Sequence, residues 1–295
     1  MYSQIASNKR RSLLLIAAFI ALVAGLDYIF ARAFNQPAAF YPILFIGVIY
    51  AAVSYFYSDK IAIAMSGARE VSKADAPELY RIVENLSITA GLPMPKVYIS
   101  DDLSPNAFAT GRDPNHAVVC ATTGILQLLD KSELEGVIAH EMSHIGNYDI
   151  RFMAIVMALV SVVSIISDLL LRLSFWGGGG DDEDSGPNNQ LFLILSIVGA
   201  ILAPLVAAII QFAVSRQREY LADSSGALLT RYPEGLARAL EKISADPTPL
   251  ARANSATAPL YISNPLKNRS LARLFDTHPP IEERVRRLRE MESKQ

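Results

Sequence analysis

The stretch His140-Glu141-Met142-Ser143-His144 decides how the rest of the chain is interpreted, because it has the pattern H-E-x-x-H. Residues four positions apart lie on one face of an α-helix, one turn apart, so both imidazoles can reach a single metal ion. Glu141 then lies beside the first histidine, where its carboxylate can take a proton from water at the metal. The surrounding segment is otherwise apolar, which argues against two unpartnered surface histidines. The motif therefore predicts a helix that carries a metal site and a general base.

A catalytic zinc site usually has three protein ligands and leaves a further position for water. The two histidines of the motif therefore need a third ligand, and we expect one zinc ion per chain. The best candidate is Glu219, which lies four residues before Asp223 on a predicted helix. One of these carboxylates could ligate the metal while the other orients a ligand histidine through its free N–H group.

The overall composition is that of a membrane protein rather than of an ordinary soluble enzyme. Of the 295 residues, 51% are hydrophobic and 19% are charged, whereas soluble domains average about 25% charged residues. These values exclude disordered, collagen-like and coiled-coil classes. The net charge of −2 provides no broad basic surface, which argues against nucleic acid as a partner. The single cysteine, Cys120, cannot form a disulfide within the chain.

The hydrophobic residues are concentrated in four blocks, which we interpret as four transmembrane helices. A helix needs about 20 apolar residues to cross the hydrocarbon core. The second and fourth blocks meet that length without any charge, whereas the first and third each include an acidic residue, Asp27 and Asp168. The blocks cover residues 13–31, 38–57, 152–173 and 191–214.

Basic residues predict how these helices are oriented. Lysines and arginines precede the first and third blocks and follow the second and fourth, whereas the loop between the third and fourth blocks is acidic. The positive-inside rule therefore places both termini and both long polar segments on the cytoplasmic side.

Two alternative interpretations of the apolar blocks stay open. Residues 9–33 could form a cleaved signal peptide, and the third and fourth blocks could form a hairpin that does not fully cross the membrane.

The polar segments show periodicities of helices and short strands. A capping-box pattern of Ser132 with Glu135 predicts the start of the H-E-x-x-H helix, which runs to residue 149 and could continue directly into the third apolar block. Two β-rich runs with an extended segment between them predict a small three-stranded antiparallel sheet. The other predicted helices are Ala76–Ala90, Arg216–Leu229, Pro233–Ser244 and Pro280–Glu292, and the three extended runs are Lys96–Ser100, Pro105–Gly111 and Ala117–Thr122.

The predicted fold is therefore a mainly α, α+β membrane protein with a cytoplasmic metalloprotease domain of the zincin type. Two membrane hairpins alternate with the two polar segments, which must fold together into one soluble part. The hairpins are 1–57 and 152–214. The cytoplasmic parts are 58–151, which carries the H-E-x-x-H helix, and 215–295, which carries Glu219 and Asp223.

At these motifs the sequence resembles the HtpX-type membrane zinc metalloproteases, which are related to the CAAX prenyl endopeptidases and more distantly to the gluzincins. The resemblance covers nearly the whole chain, from two hydrophobic segments through H-E-x-x-H and two further hydrophobic segments to E-x-x-x-D. It implies that His140, His144 and Glu219 bind zinc. It also implies that Glu141 is the catalytic base and acid, and that Asp223 orients a ligand histidine.

The resemblance extends to residues outside these two motifs. Asn147 and Asp149 look like the N-x-D extension of the family motif, although they could equally be polar residues that close the helix. The run that begins Asn106-Ala107-Phe108 is similar to the family's edge strand beside the cleft, along which a substrate would add as a strand. His278 and Arg284 match the H-P-x-x-x-x-R stretch and are candidates to stabilise the tetrahedral oxyanion.

These features together predict an integral zinc-dependent endopeptidase of the cell (inner) membrane. Its substrates would be misfolded or damaged membrane proteins, cleaved at the cytoplasmic face, and its partners would be those proteins and the lipid bilayer. The oligomeric state stays open. A membrane metal transporter is an alternative, but transport sites lie near the bilayer midplane and these ligands lie outside the apolar blocks. An inactive scaffold is another, but it would have no use for Glu141.

Overall fold

A computed structural model describes most of the protein, including nearly all of the two polar segments. The described residues are 6, 8, 10–21, 24, 25, 41–177, 197, 198, 201, 216–252, 257–263 and 279–293. Most of the predicted fourth apolar block and the candidate residue His278 lie outside these residues.

Helices dominate the described part of the chain, and a small sheet has one strand before the third helix and three strands between the third and fourth helices. The helices are α1 Tyr41–Phe56, α2 Ser58–Ser66, α3 Pro77–Ala90, α4 Thr123–Leu128, α5 Lys131–Gly146, α6 Asp149–Gly177, α7 Arg216–Thr230, α8 Pro233–Ala245 and α9 Ile281–Glu292. The strands are β1 Ala68–Glu70, β2 Lys96–Ser100, β3 Ala107–Gly111 and β4 Ala117–Thr122. The predicted helices in α3, α7, α8 and α9 are confirmed to within a residue or two at each end.

The sheet is mixed, so the prediction of a purely antiparallel, three-stranded sheet is wrong. Its strand order is β1-β2-β4-β3, and β2 pairs with β4 in parallel while the other two pairs are antiparallel. The connections explain the directions, because β3 and β4 are joined by a short turn and pair as an antiparallel hairpin, whereas the longer path from β2 to β4 allows a parallel pair. β3 precedes β4 as its hairpin partner and lies at the outer edge, which leaves β2 parallel to β4 on the other side.

The helix that carries the H-E-x-x-H motif begins at a different cap from the predicted one. Asp130 Oδ1 accepts a hydrogen bond from Glu133 N (3.0 Å), and Glu133 Oε2 accepts one from Asp130 N (2.9 Å). This capping box lies two residues before the predicted box of Ser132 and Glu135, which is therefore wrong. The sequence contains both patterns, and tertiary contacts select between them: Arg238 of α8 bonds to both Asp130 and Glu133.

The H-E-x-x-H helix also does not continue straight into the third apolar block. α5 ends at Gly146, Tyr148 has a φ of 61°, and α6 begins at Asp149, with the two helices bent by 75°. A residue in the left-handed region cannot continue a right-handed helix. The bend turns Asp149 back toward the end of α5, where it meets a histidine of the motif.

Within the described residues, no single helix is both long and apolar enough to cross a membrane. The bent pair Lys131–Gly146 and Asp149–Ile165 meets these criteria together, by length and composition, and a shorter apolar helix covers Phe45–Phe56. The four predicted membrane-spanning helices therefore stay a prediction.

α5 lies at the centre of the hydrophobic core, and two glycines let other helices approach it closely. A Cβ atom at Gly226 of α7 would lie 2.9 Å from His140 N, and one at Gly136 would lie 2.7 Å from Leu236 N of α8. Real Cβ atoms do not come so close to other backbones, so both contacts require glycine. The surrounding core includes Leu79, Val83, Val119, Val137, Ile138, Leu236 and Leu240. Packing on all sides thereby holds the H-E-x-x-H helix in place.

Candidate active site

The structure brings His140, His144 and Glu219 together, although Glu219 lies on a helix that is distant in sequence. The ligand atoms of the three residues all lie within 4.8 Å of one another. The two Nε2 atoms are 3.2 Å apart, and the carboxylate of Glu219 lies 3.7 Å from His140 Nε2 and 3.6 Å from His144 Nε2. Such separations suit donors around one zinc ion with bonds of about 2.0–2.2 Å.

Asp223 lies on the opposite side of His140 from this cluster. Its Oδ1 is 3.0 Å from His140 Nδ1, although the N–H direction is not aligned as in a regular hydrogen bond. Both residues are buried. Since Glu219 faces the Nε2 atoms and Asp223 faces Nδ1, the geometry separates the two roles that the sequence left open.

Arg284 of α9 holds Asp223 through two parallel hydrogen bonds. Its Nη2 donates to Asp223 Oδ1 (2.7 Å) and its Nε donates to Asp223 Oδ2 (2.8 Å). Burial raises the pKa of Asp223, but the charge and hydrogen bonds of Arg284 outweigh it and lower that pKa to about 2. Arg284 is itself fully buried and lies behind Asp223, not among the residues that line the cavity. Arg284 therefore positions Asp223, and its Nη1 also lies 3.9 Å from Glu219 Oε2. The predicted contact of Arg284 with the oxyanion stays a prediction.

His144 has a carboxylate partner of its own, Asp149, at the start of α6. His144 Nδ1 lies 3.0 Å from Asp149 Oδ2. Burial lowers the pKa of His144, but the hydrogen bond with Asp149 and the charge of Glu219 outweigh it and raise that pKa to about 9 in the metal-free protein. The N-x-D pattern was the only signal in the sequence for this contact, and it left the role of Asp149 open.

Sequence reasoning missed Asn8, which lies in the segment before the first apolar block. Its side-chain Nδ2 donates to Asp149 Oδ1 (2.7 Å) and to the carbonyl oxygen of Asn147 (3.0 Å). The side chain is buried. A single asparagine among other polar residues has no recognisable pattern, so only the tertiary structure could connect it to the site.

Glu141 lies between the histidines and the edge strand β3. It is only 1% exposed, and burial raises the pKa of its carboxylate above the usual value even though the two histidines lower it. The backbone N–H of Ala109 donates to this carboxylate. A carboxylate whose pKa is raised in this way accepts a proton more readily than an exposed one.

The two histidines, Glu141, Asp149 and Glu219 line a small cavity of about 40 Å³. Because one enclosed water needs about 10–15 Å³, the cavity holds an ion and a few waters but no peptide. Its walls come from β3, α5, α6, α7 and a segment before α9, and its lining residues are Ala109, His140, Glu141, His144, Asp149, Ile150, Met153, Arg218, Glu219, Pro259, Leu260, Tyr261 and Ile262.

The predicted substrate-binding residues lie beside this cavity, but they make contacts with another segment of the same chain. Ala107 O accepts a hydrogen bond from Ile262 N (3.0 Å), and the Asn106 side chain donates to the carbonyl oxygen of Ser263 (2.9 Å). The ring of Phe108 packs edge-to-face against that of Tyr261 at 5.0 Å. The predicted edge strand is therefore present, and its outer edge is covered at Ala107 and Phe108.

The donor set fits a zinc ion. Two imidazoles and one carboxylate form the usual set for a catalytic zinc, and each imidazole has a buried carboxylate at its Nδ1 atom. Such partners hold a ligand histidine in the tautomer that presents Nε2 to the metal. A group that could bind a metal ion therefore lies next to a buried glutamate.

Comparisons with known proteins agree with this geometry. Residues 73–292 match the model of peptidase family M48. The Protease HtpX homolog of Tropheryma whipplei (strain TW08/27) is 52% identical over 291 residues, which cover 99% of this chain and 98% of that protein. The Protease HtpX homolog of Streptococcus gordonii is 48% identical over 299 residues, and this alignment covers 99% of this chain and 100% of that protein.

A solved structure shares the fold at lower sequence identity. The crystal structure of S. mikatae Ste24p matches with a TM-score of 0.52 and 19% identity, over 98% of this chain and 66% of that one. This chain therefore spans about two thirds of the length of that protein. The resemblance inferred from the motifs is confirmed, and the members of the matching family are zinc-dependent metallopeptidases. The chain belongs to peptidase family M48 and is a membrane-associated metalloendopeptidase that acts on proteins.

Proposed function

We propose that this chain is a multi-pass protease of the cell (inner) membrane that uses zinc to hydrolyse misfolded or damaged membrane proteins at the cytoplasmic face. The observation that carries this proposal is the cluster of His140, His144 and Glu219 with the buried Glu141 beside it. The domain division is part of the proposal, with membrane hairpins at 1–57 and 152–214 and cytoplasmic parts at 58–151 and 215–295.

The proposed mechanism assigns a task to each residue of the site. Bound by His140, His144 and Glu219, zinc would polarise the peptide carbonyl and make a water molecule more acidic. Glu141 takes the proton from the attacking water and passes it to the leaving amine. His278 is our candidate for an additional hydrogen bond to the oxyanion.

The position of the site along the chain supports the choice of substrates. α6 begins at Asp149, which contacts His144, so the site lies at the start of the third apolar block. Basic residues flank that end of the block, which favours the cytoplasmic side. Loops and tails of membrane proteins on that side are the peptide segments that would reach such a site first.

The test is zinc-dependent cleavage of casein by the full-length protein purified in detergent. We expect a chelator to abolish cleavage and added zinc to restore it. Glu141→Gln should keep its zinc and lose at least about a hundredfold in rate, because it loses the general base. Glu78→Gln is the matched control, since Glu78 is exposed and remote from the cavity.

Two further results would contradict parts of the proposal. Full activity of Glu141→Gln would exclude Glu141 as the base, and unchanged zinc content in Glu219→Ala would exclude Glu219 as the third ligand. The quality-control role is tested by comparing membrane-protein fragments in cells with wild type and with Glu141→Gln. Identical fragment sets would reject it, and fragment ends in external loops would reject the cytoplasmic face.

A further inference from the structure

The segment Thr257–Ser263, here called the strap, lies along the outer edge of β3. Phe108 and Tyr261 form an antiparallel bridge, and Ile262 N donates to Ala107 O at 3.0 Å. The strap thus pairs with the sheet edge as an added strand would. The bridge ends where the strap turns into a short 3₁₀ turn at Ala258–Leu260, beside the cavity.

Side chains fasten the strap to this edge. The amide of Asn106 makes a pair of hydrogen bonds with the backbone of Ser263: Nδ2 donates to Ser263 O (2.9 Å), and Ser263 N donates to Oδ1 (3.3 Å). The ring of Tyr261 is 3% exposed and packs against Phe108. Asn106 and Phe108 are the residues that the sequence assigned to substrate binding, so the strap makes the contacts expected of a substrate.

The cavity beside the strap is small. Binding sites for ligands usually measure about 300–1,000 Å³, whereas this cavity measures about 40 Å³. The walls formed by α5 and α7 pack tightly against each other through Gly226. Among the described walls, the strap is the one that belongs to neither an α-helix nor a strand of the sheet. Of the described walls, the strap is therefore the one best able to move when a peptide binds.

We infer that the strap competes with the substrate for the edge of β3, and that a substrate binds by replacing the strap strand for strand. This inference rests on the proposed function. It also names the substrate class. A segment can replace the strap only if its own backbone is free to pair, so extended, unfolded segments bind and folded ones do not. A large apolar or aromatic residue in the substrate takes the place of Tyr261 against Phe108.

The inference is tested by locking the strap to β3 with a reversible cross-link. Phe108→Cys and Tyr261→Cys are combined with Cys120→Ala, because Cys120 pairs with Phe108 from β4 and would otherwise compete for the disulfide. Bridge partners of this kind lie about 4.5–5.5 Å apart at Cα, within reach of a disulfide. The oxidised and reduced forms carry the same substitutions, so they differ only in the cross-link.

Two quantities are measured on the full-length protein in detergent: cleavage of β-casein and binding of fluorescein-labelled β-casein. We expect oxidation to reduce both at least tenfold, reduction to restore both, and zinc content to stay unchanged. Equal binding in the two forms would overturn the strap inference, even if zinc-dependent cleavage is present. Binding that responds to the cross-link without any cleavage supports the strap and rejects the proposed protease activity.

A second variant serves if the double cysteine protein does not fold. Tyr261→Ala removes the strap ring that packs against Phe108 and leaves the β3 residues unchanged, so it should release the strap and tighten casein binding about two- to tenfold. Tyr57→Ala is the matched control, because Tyr57 is exposed and does not line the cavity. Unchanged or weaker binding by Tyr261→Ala would contradict the inference.

Discussion

At the scale of single residues, the site consists of two histidines, each held by a buried carboxylate that is itself held by a neighbour. Asp223 contacts His140 and is fixed by Arg284, while Asp149 contacts His144 and is fixed by Asn8. Arg284 and Asn8, which hold the two carboxylates, come from opposite ends of the sequence. The zinc affinity that we propose for this site therefore depends on residues that never touch the metal.

Substitution of Asp149 or Asn8 should weaken zinc binding without removing a ligand. Asp149→Asn should raise the dissociation constant for zinc by about 10- to 100-fold, because His144 loses its charged partner. Asn8→Ala should have a smaller effect in the same direction. Zinc affinity is measured by competition with a chelator, with Asn85→Ala as the exposed control for Asn8. Equal affinities in all variants would show that these contacts do not position His144.

At the scale of secondary structure elements, the close approach of α7 to α5 brings Glu219 to the histidines. Gly226 lies two turns beyond Glu219 on α7 and touches the backbone of α5 at His140. The bend between α5 and α6 acts at the other end of the site, because it turns Asp149 toward His144. The contact at Gly226 and the bend between α5 and α6 are both properties of the backbone. Neither depends on the chemistry of the histidine and carboxylate side chains.

Gly226→Ala should push α7 away from α5 and weaken both the fold and zinc binding. Its Cβ would lie 2.9 Å from His140 N and 3.1 Å from the carbonyl carbon of Ala139, and backbone atoms cannot yield as a flexible side chain does. We expect a loss of about 1–3 kcal/mol in the free energy of unfolding. Thermal unfolding in detergent and zinc affinity are the measurements.

Gly47→Ala in α1 is the matched control for this prediction. A Cβ at Gly47 meets only Val162 Cγ1, at 4.0 Å, which is an ordinary contact. Alanine is the better helix former by about 0.5–1 kcal/mol, so this variant should be neutral or slightly more stable. Equal behaviour of the two variants would argue that α7 can shift without affecting the site.

At the scale of the whole molecule, an apolar part and a catalytic part meet at the site. α1 packs against α6, yet many of its large apolar side chains are exposed, including Phe45 at 66% and Ile46 at 64%. Exposed apolar surface of this extent on a helix indicates a partner other than water. The membrane insertion that we propose would place this surface against lipid.

The full-length protein should therefore behave as an integral membrane protein. We expect it to stay in the membrane pellet after alkaline carbonate extraction and to be released by detergent, because its apolar helices lose their favourable environment in water. The measurement is immunoblotting of the supernatant and pellet, with a known peripheral protein as the control. Release by carbonate alone would contradict integral insertion.

Much of the fold could be predicted because the relevant patterns are local. The helices α3, α7, α8 and α9 follow from apolar periodicity and from proline and glycine at their ends, and the strands follow from short apolar runs. The starting point of α5 could not be chosen from sequence, since two capping patterns overlap and Arg238 decides between them. The order of the strands depends on the pairing of β2 with β4, which are separated in the chain by β3, and periodicity alone does not reveal such a pairing.

The sequence by itself determined which groups could do the chemistry: two histidines one turn apart, a glutamate beside the first, and a pair of carboxylates at the same spacing on a second helix. Helical spacing is a local property, so four residues of sequence suffice to place two ligands on one face. Only the tertiary structure decided that Glu219 faces the Nε2 atoms of the two histidines and that Arg284 and Asn8 hold Asp223 and Asp149. It also decided that the strap pairs with β3 at Ala107 and Phe108. These contacts join segments that are far apart in the chain, and their formation depends on packing across the whole core rather than on any local pattern.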